Sequence, residues 1–198
     1  IDVLLGMAAS ADEPIAGGRH KVFGSLALQV PPQTSTIASH LPKAVGAAFA
    51  MDRRSALGLS TDTVPSDAVV VCTFGDASSN HSTAAGAINA ACWTSFQHLP
   101  LPLLFVCEDN DIGISVKTPV GWIESNYRHR PGLQYFQANG LELSHAFEVA
   151  AQAVEYVRKH RKPAFLHLKT VRMLGHAGSD VEAGYRTLAD IEDTESKD

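Results

Sequence analysis

Residues 69–115 read VVVCTFGDASSNHSTAAGAINAACWTSFQHLPLPLLFVCEDNDIGIS, and the punctuation of this stretch decides the fold. A β-branched apolar run stops at Gly75-Asp76, a segment of small residues follows, and a second apolar run stops at Glu108-Asp109-Asn110. Short apolar runs bounded by turn residues fit strands buried on both faces of a parallel sheet. Between them Ala84, Ala87, Ile88, Ala91, Cys92 and Phe96 recur at helical rather than alternating spacing, which predicts a helix over 80–97. In an open parallel sheet, ligands settle beyond the carboxyl ends of the strands. Asp76 and Asn110 are therefore expected to face one crevice, with the chemistry there.

Working outward, a hydroxyl-rich segment at 34–39 leads into a helix over 41–56, with apolar positions at Leu41, Val45, Ala48 and Phe49. Ser39 fits its cap and Pro42 its first turn. Residues 57–67 hold Gly, Pro, Ser, Asp and Thr and read as an exposed loop. Strands are expected at 68–74, 101–107 and 164–171. The segment 144–162 is a well-marked helix with Phe147, Ala150, Ala151, Val154 and Val157 on one face. Its end is marked by the basic run Arg158-Lys159-His160-Arg161-Lys162, which complements the helix dipole, and by Pro163. Residues 117–140 contain Pro, Gly, Trp and Tyr without a period and read as a long loop, a lid or a partner contact. Strand, helix, strand, helix, strand implies right-handed crossovers, and so an α/β, three-layer architecture with a mostly parallel sheet.

The start of the chain is less regular. Residues 1–7 are apolar, 8–18 are small and polar and resemble a linker, 18–21 form a basic loop, and Pro31-Pro32 reads as a break. The 198 residues, 45% of them hydrophobic, suffice for one full core. A single domain, part of a larger chain, is the expectation.

A formal net charge of -5 and no basic stripe beyond 158–162 argue against a nucleic-acid partner. No apolar stretch approaches the roughly 18 residues of a membrane span. Three cysteines, an odd number without a Cys-x-x-Cys pair, read as reduced packing residues and suit a cytoplasmic or organellar-matrix setting, with the cytoplasm the expectation. His20, His81 and His98 show no zinc spacing with them and read as surface or packing residues.

A hard cation such as Mg²⁺ takes about six oxygen ligands, several of them from water or phosphate. Asp76, Asn110 and one nearby carbonyl fit that demand. The residues after Gly75-Asp76 are small and polar, so the N–H groups of Ala77 and Ser78 at a helix start can meet phosphate oxygens. Metal plus diphosphate is the inferred ligand. No Gly-x-Gly-x-x-Gly follows a strand and no P-loop is present, which disfavours a nicotinamide or nucleoside-triphosphate site but leaves several phosphate-containing cofactors open.

The order Gly75-Asp76, an Ala-rich helix with Asn89, and a strand closing on Asp109-Asn110 resembles the thiamine-diphosphate motif. More specifically, it is similar to the α chains of the decarboxylating first component of 2-oxo-acid dehydrogenase complexes. Residues 39–50 (SHLPKAVGAAFA) and 85–89 (AGAIN) look like segments of branched-chain members, and 175–180 (GHAGSD) with Tyr185-Arg186-Thr187 is similar to the family's phosphate-side loop. The resemblance implies a thiamine-diphosphate-binding fold and the cofactors thiamine diphosphate and Mg²⁺. It places Asp76, Asn110 and the carbonyl of Ile112 on the metal, and Gly75, Ala77 and Ser78 at the diphosphate. Ser35 and Ile37 fall by the aminopyrimidine ring. His176 falls by the reacting carbon, where it can shuttle a proton. The implied reaction is oxidative decarboxylation of a small 2-oxo acid, with transfer of the acyl unit to the lipoyl group of an acyltransferase. The implied partner is a β-type subunit or domain supplying the activating glutamate, in a dimer or α2β2 assembly.

The sequence also departs from that pattern. Ala77 stands where the motif has its second Gly, and Asp109 replaces the first Asn, bringing a negative charge beside a diphosphate site. Asp76 and Asn110 are 34 residues apart, with the surplus around 93–101. Gly24 occupies the place of the family's loop histidine, for which His20 is the substitute, and Ala177 replaces a serine phosphorylated in some relatives. Two other readings are a transketolase-like or acetoin-cleaving thiamine-diphosphate enzyme, and a non-catalytic cofactor-binding scaffold.

Overall fold

The computed structural model describes residues 1–19, 22–59 and 64–197, and His20 lies outside them. The chain divides into two compact units, Ile1–His40 and Leu41–Asp198. In the first, helix α1 (Asp2–Met7) precedes an antiparallel pair, β1 (Phe23–Ser25) and β2 (Val30–Gln33). The stretch 8–18 is a set of turns tied by buried Glu13, whose carboxylate accepts from the backbone N–H groups of Ile15 (2.9 Å) and Ala16 (2.5 Å). Pro31 and Pro32, expected as a break, lie inside β2. A two-stranded pair leaves each strand an open edge where a missing N–H costs no ladder bond.

The second unit holds α2 (His40–Ala56), β3 (Val70–Gly75), α3 (Ser82–Phe96), β4 (Leu103–Asp109), α4 (Trp122–Tyr127), β5 (Gln134–Asn139), α5 (Leu143–His160), β6 (Ala164–Lys169) and α6 (Leu188–Glu195). Its four strands run parallel in the order β3-β4-β6-β5. Successive side chains of a strand point to opposite faces, and the core divides accordingly. Leu104, Val106 and Leu166 pack with Ala153 and Val157 of α5 on one face. On the other face Phe165 stacks on Tyr127 of α4, centroids 4.4 Å apart, with Phe74 edge-on at 5.9 Å. Helices thus cover both sides of the sheet.

Three features correct the sequence reading. The expected loop 117–140 contains α4 and the fourth strand, β5. The strand QYFQAN carries three amides on the sheet edge, where no second partner strand demands an apolar run. Gly132 starts it: at φ +80 it packs so tightly that a Cβ would lie 2.5 Å from the Cys92 carbonyl oxygen, so only glycine brings the chain there. On α5 the buried stripe runs through Val149, Ala150, Ala153, Val154 and Val157, leaving Phe147 73% exposed. On α3 the stripe is Ala84, Ala87, Ile88, Ala91, Cys92 and Ser95, and Phe96 is 65% exposed. In both helices the aromatic residue sits one position off the packed face.

The basic end of α5 behaves as expected. Arg161 takes the left-handed conformation that ends the helix, and its guanidinium donates to the Ala68 carbonyl at 2.8 Å, tying α5 to the start of β3. All three cysteines are free and buried, and burial pushes the Cys72 thiol up to about 12, which removes it as a nucleophile. No helix among the described residues is long and apolar enough to cross a membrane.

Candidate functional site

β3 and β4 run side by side with Gly75 opposite Glu108, so the residues just past their tips, Asp76 and Asn110, emerge together. Asp76 is 1% exposed. Its carboxylate accepts a hydrogen bond from the Thr118 hydroxyl. Burial raises its pKa, the Thr118 hydroxyl and the Asn110 backbone N–H oppose the rise, and the charge of nearby Asp109 adds to it. A carboxylate held in this way by neutral donors is one whose charge a cation would stabilise.

The chain after β4 is folded back to complete the pocket. Asn110 Oδ1 accepts from the Ile112 N–H at 3.2 Å, and Asp111 is left-handed at φ +62. Ile112 pairs with Lys117, and the Gly113 N–H bonds the Val116 carbonyl at 2.8 Å. This tight return delivers Thr118 to Asp76 and brings Gly113 beside Ala77, whose methyl carbon would lie 3.1 Å from a Cβ added there.

Gly75 ends β3 in an extended conformation, and Ala77 and Ser78 follow Asp76 in a 3₁₀ turn, Asp76–Asn80. The expected helix start is therefore displaced. The N–H groups of Ala77 and Ser78 belong to this turn, and α3 begins only at Ser82, capped by His81 Nδ1 on the Thr83 N–H at 3.2 Å.

His176 lies on an exposed loop after β6. The loop is braced: the His176 N–H donates to Asp180 Oδ2 at 2.7 Å, the Tyr185 hydroxyl donates to the same oxygen at 2.5 Å, and Arg172 donates to the Tyr185 oxygen at 2.7 Å. Arg172 also donates to the carbonyls of Gly113 (2.6 Å) and Ile114 (3.0 Å), fastening this loop to the return after β4. Asn110 and His176 line one cleft of about 530 Å³ with Glu108, Thr170 and Arg172. Tyr185→Phe should loosen the brace. Removing a bond worth about 1 kcal/mol should speed hydrogen exchange of the His176 amide about five-fold while exchange in β4 stays unchanged.

In the second unit Gly75, Asp76, Ala77 and Ser78 follow one another at the tip of β3 beside that of β4, and Asn110 lines one cleft with His176 and another with Ile112. Ser35 and Ile37 belong to the first unit, in the turn before α2, with Ile37 half exposed; the strand-tip geometry is built within the second unit alone.

Asp109 does not bring an uncompensated negative charge. It is buried, its Oδ2 lying 2.6 Å from His167 Nε2 and 3.1 Å from Lys169 Nζ. Burial alone would raise its pKa, but the bonds from His167 and Lys169 outweigh that and hold it at about 2. The sequence reading missed Thr118, His167 and Lys169. The only sign of them was a strand, residues 164–169, ending on His and Lys in an otherwise apolar run.

Matched against known families, residues 2–198 fit the dehydrogenase E1 component. The chain belongs to that family. Among curated E1 relatives, the testis-specific mitochondrial pyruvate dehydrogenase E1 component subunit alpha of Homo sapiens is 31% identical over 136 residues, which is 66% of this chain and 33% of the human protein. The 2-oxoisovalerate dehydrogenase subunit alpha of Bacillus subtilis (strain 168) is 25% identical over 204 residues, all of this chain and 57% of that protein. The chain therefore spans about a third to somewhat over half the length of these relatives. Among solved structures, a transketolase from Pichia stipitis superposes with a TM-score of 0.54 at 22% identity, over 70% of this chain and 20% of the transketolase. That likeness is one of fold: the parallel α/β architecture.

Proposed function

We propose that this E1-family chain binds thiamine diphosphate through a divalent cation and serves the oxidative decarboxylation of a 2-oxo acid. The observation that carries the reading is the buried Asp76 carboxylate set beside Asn110 at adjoining strand tips. The donor set fits Mg²⁺: one carboxylate, one amide oxygen and the Ile112 carbonyl leave positions for diphosphate and water. Ala77 and Ser78 would offer N–H groups to the diphosphate. Ser35 and Ile37 remain the candidates for the ring end of the cofactor. His176, on its braced loop, would hold a proton at the edge of the same cleft as Asn110.

When bound, the thiazolium ring supplies the electron sink for loss of carbon dioxide. This chain's own residues bind and orient it. The glutamate that activates the cofactor is assigned to a β-type partner in a dimeric or α2β2 assembly, and the acyl acceptor to a lipoyl-bearing acyltransferase. The relatives' names include both a pyruvate and a 2-oxoisovalerate enzyme, and the branched-chain-like segments favour the second. A reducing compartment, taken as the cytoplasm, suits three free cysteines.

Calorimetric titration tests the binding. Thiamine diphosphate should bind one site per chain with Mg²⁺ present and lose measurable affinity with chelator. Absence of binding with Mg²⁺ refutes the proposal. Binding without 2-oxo-acid decarboxylation in the presence of a β-type partner would instead favour the scaffold reading.

A further inference from the structure

We propose that a line of hydrogen bonds, Tyr135 to His167 to Asp109 to Lys169, buried at His167 and Asp109, sets the shape of the β4 tip that presents Asn110, making His167 a positioning residue for the site. The line crosses three neighbouring strands. Phe165 of β6 pairs with Tyr135 of β5, and Lys169 of β6 pairs with Asp109 of β4, so His167 lies between the two pairs on the same face of the sheet. The Tyr135 hydroxyl is 2.6 Å from His167 Nδ1, and His167 Nε2 is 2.6 Å from Asp109 Oδ2. A carboxylate only accepts, so the imidazole donates from Nε2 to Asp109, while Nδ1 meets the tyrosine hydroxyl. Both ring nitrogens are satisfied, as a side chain 3% exposed requires.

The two oxygens of Asp109 face different tasks. Oδ2 takes His167 and Lys169, while Oδ1 accepts the Asp111 N–H at 3.2 Å and so forms the turn on which Asn110 sits. Fixing one oxygen fixes the other. Lys169 Nζ also reaches Asp111 Oδ1 at 2.7 Å, and the Thr170 N–H bonds the Asp109 carbonyl at 2.8 Å. Asp111 is a non-glycine residue at φ +62, a conformation that costs about 1–2 kcal/mol and persists only where its surroundings over-determine it. These bonds supply that determination. The Asn110 amide and Ile112 carbonyl are then presented from a turn of defined shape. The inference rests on the proposed function only in taking Asn110 and Ile112 as cation ligands; that His167 shapes the tip does not depend on it.

Hydrogen exchange on the full chain without cofactor decides the point. His167→Phe keeps a ring but removes both nitrogens. Amides at 109–113 should exchange about ten-fold faster, with α3 and α5 unchanged, and Mg²⁺-dependent thiamine diphosphate affinity should fall about 10- to 100-fold, the usual cost of losing a group that orients a metal ligand. His167→Gln places an amide N–H near the position of Nε2 and should restore both readings to within about three-fold of the unaltered protein. Unchanged exchange at 109–113 in His167→Phe, an equal rise in α3 and α5, or no recovery with glutamine each overturns the proposal. Should His167→Phe fail to fold, Tyr135→Phe decides: exchange about three-fold faster and confined to 109–113 supports it, and no change overturns it. An unaltered protein that ignores thiamine diphosphate defeats the functional reading alone, because the exchange result still stands.

Discussion

Asp76→Asn should abolish Mg²⁺-dependent binding of thiamine diphosphate while leaving the metal-free fold intact. The substitution keeps the size of the side chain and one oxygen, so the Thr118 hydroxyl still finds a hydrogen-bond partner. It removes the only full negative charge that the three expected ligands offer the cation. Removing a group that merely orients a ligand costs about 10- to 100-fold in metal affinity, so loss of the charged ligand itself should exceed about a hundred-fold. Stability should move the other way. Burial disfavours the charged carboxyl in the metal-free state, and a neutral amide escapes that penalty. Thermal unfolding of the metal-free variant should therefore come no earlier than that of the unaltered chain, whereas added Mg²⁺ and thiamine diphosphate should raise the midpoint only of the latter. A variant that still binds the cofactor with near-native affinity would remove Asp76 from the site.

What could be read in advance follows from which interactions are local. β4 and β6 are written as short apolar runs because central parallel strands are covered on both faces, β3 at one sheet edge shows a β-branched apolar run as well, and Asp76 and Asn110 were legible because strand ends are marked by a sudden change of residue type. β5 was not, since an edge strand tolerates Gln134, Gln137 and Asn139. Nor was α4, whose six residues are too few to show a helical period. At the site the hidden residues are the distant ones. Thr118 is 42 positions from Asp76 and His167 is 58 from Asp109, and both pairs meet through loop return and strand register that no periodicity encodes. Asp109 shows the consequence. Alone in the sequence it reads as an unwanted charge; in the fold its carboxylate is held by His167 and Lys169.

Phe165→Ala should cost about 3–5 kcal/mol, the range for deleting a fully buried phenylalanine, out of a total stability of about 5–15 kcal/mol for a domain. Phe165 is 0% exposed at the middle of the sheet, with Tyr127 stacked at 4.4 Å, Tyr135 at 6.0 Å and Phe74 edge-on at 5.9 Å. Four elements therefore lean on one ring: β3, α4, β5 and β6. Removing it leaves a cavity that parallel strands, locked in register on both sides, cannot close. α4 should suffer first, because Tyr127 is one of two buried residues holding its six-residue helix. Denaturant unfolding should show the midpoint falling by at least about a fifth, and hydrogen exchange should show protection at 122–127 lost before that of β4. Phe147→Ala and Phe96→Ala are the counterweights. Sequence periodicity put both rings on packed faces, but they are 73% and 65% exposed, so each should change the stability of the isolated chain by less than about 0.5 kcal/mol. If Phe147→Ala proved as costly as Phe165→Ala, the rotation of α5 described above would be wrong, and with it the division of the core between the two faces of the sheet.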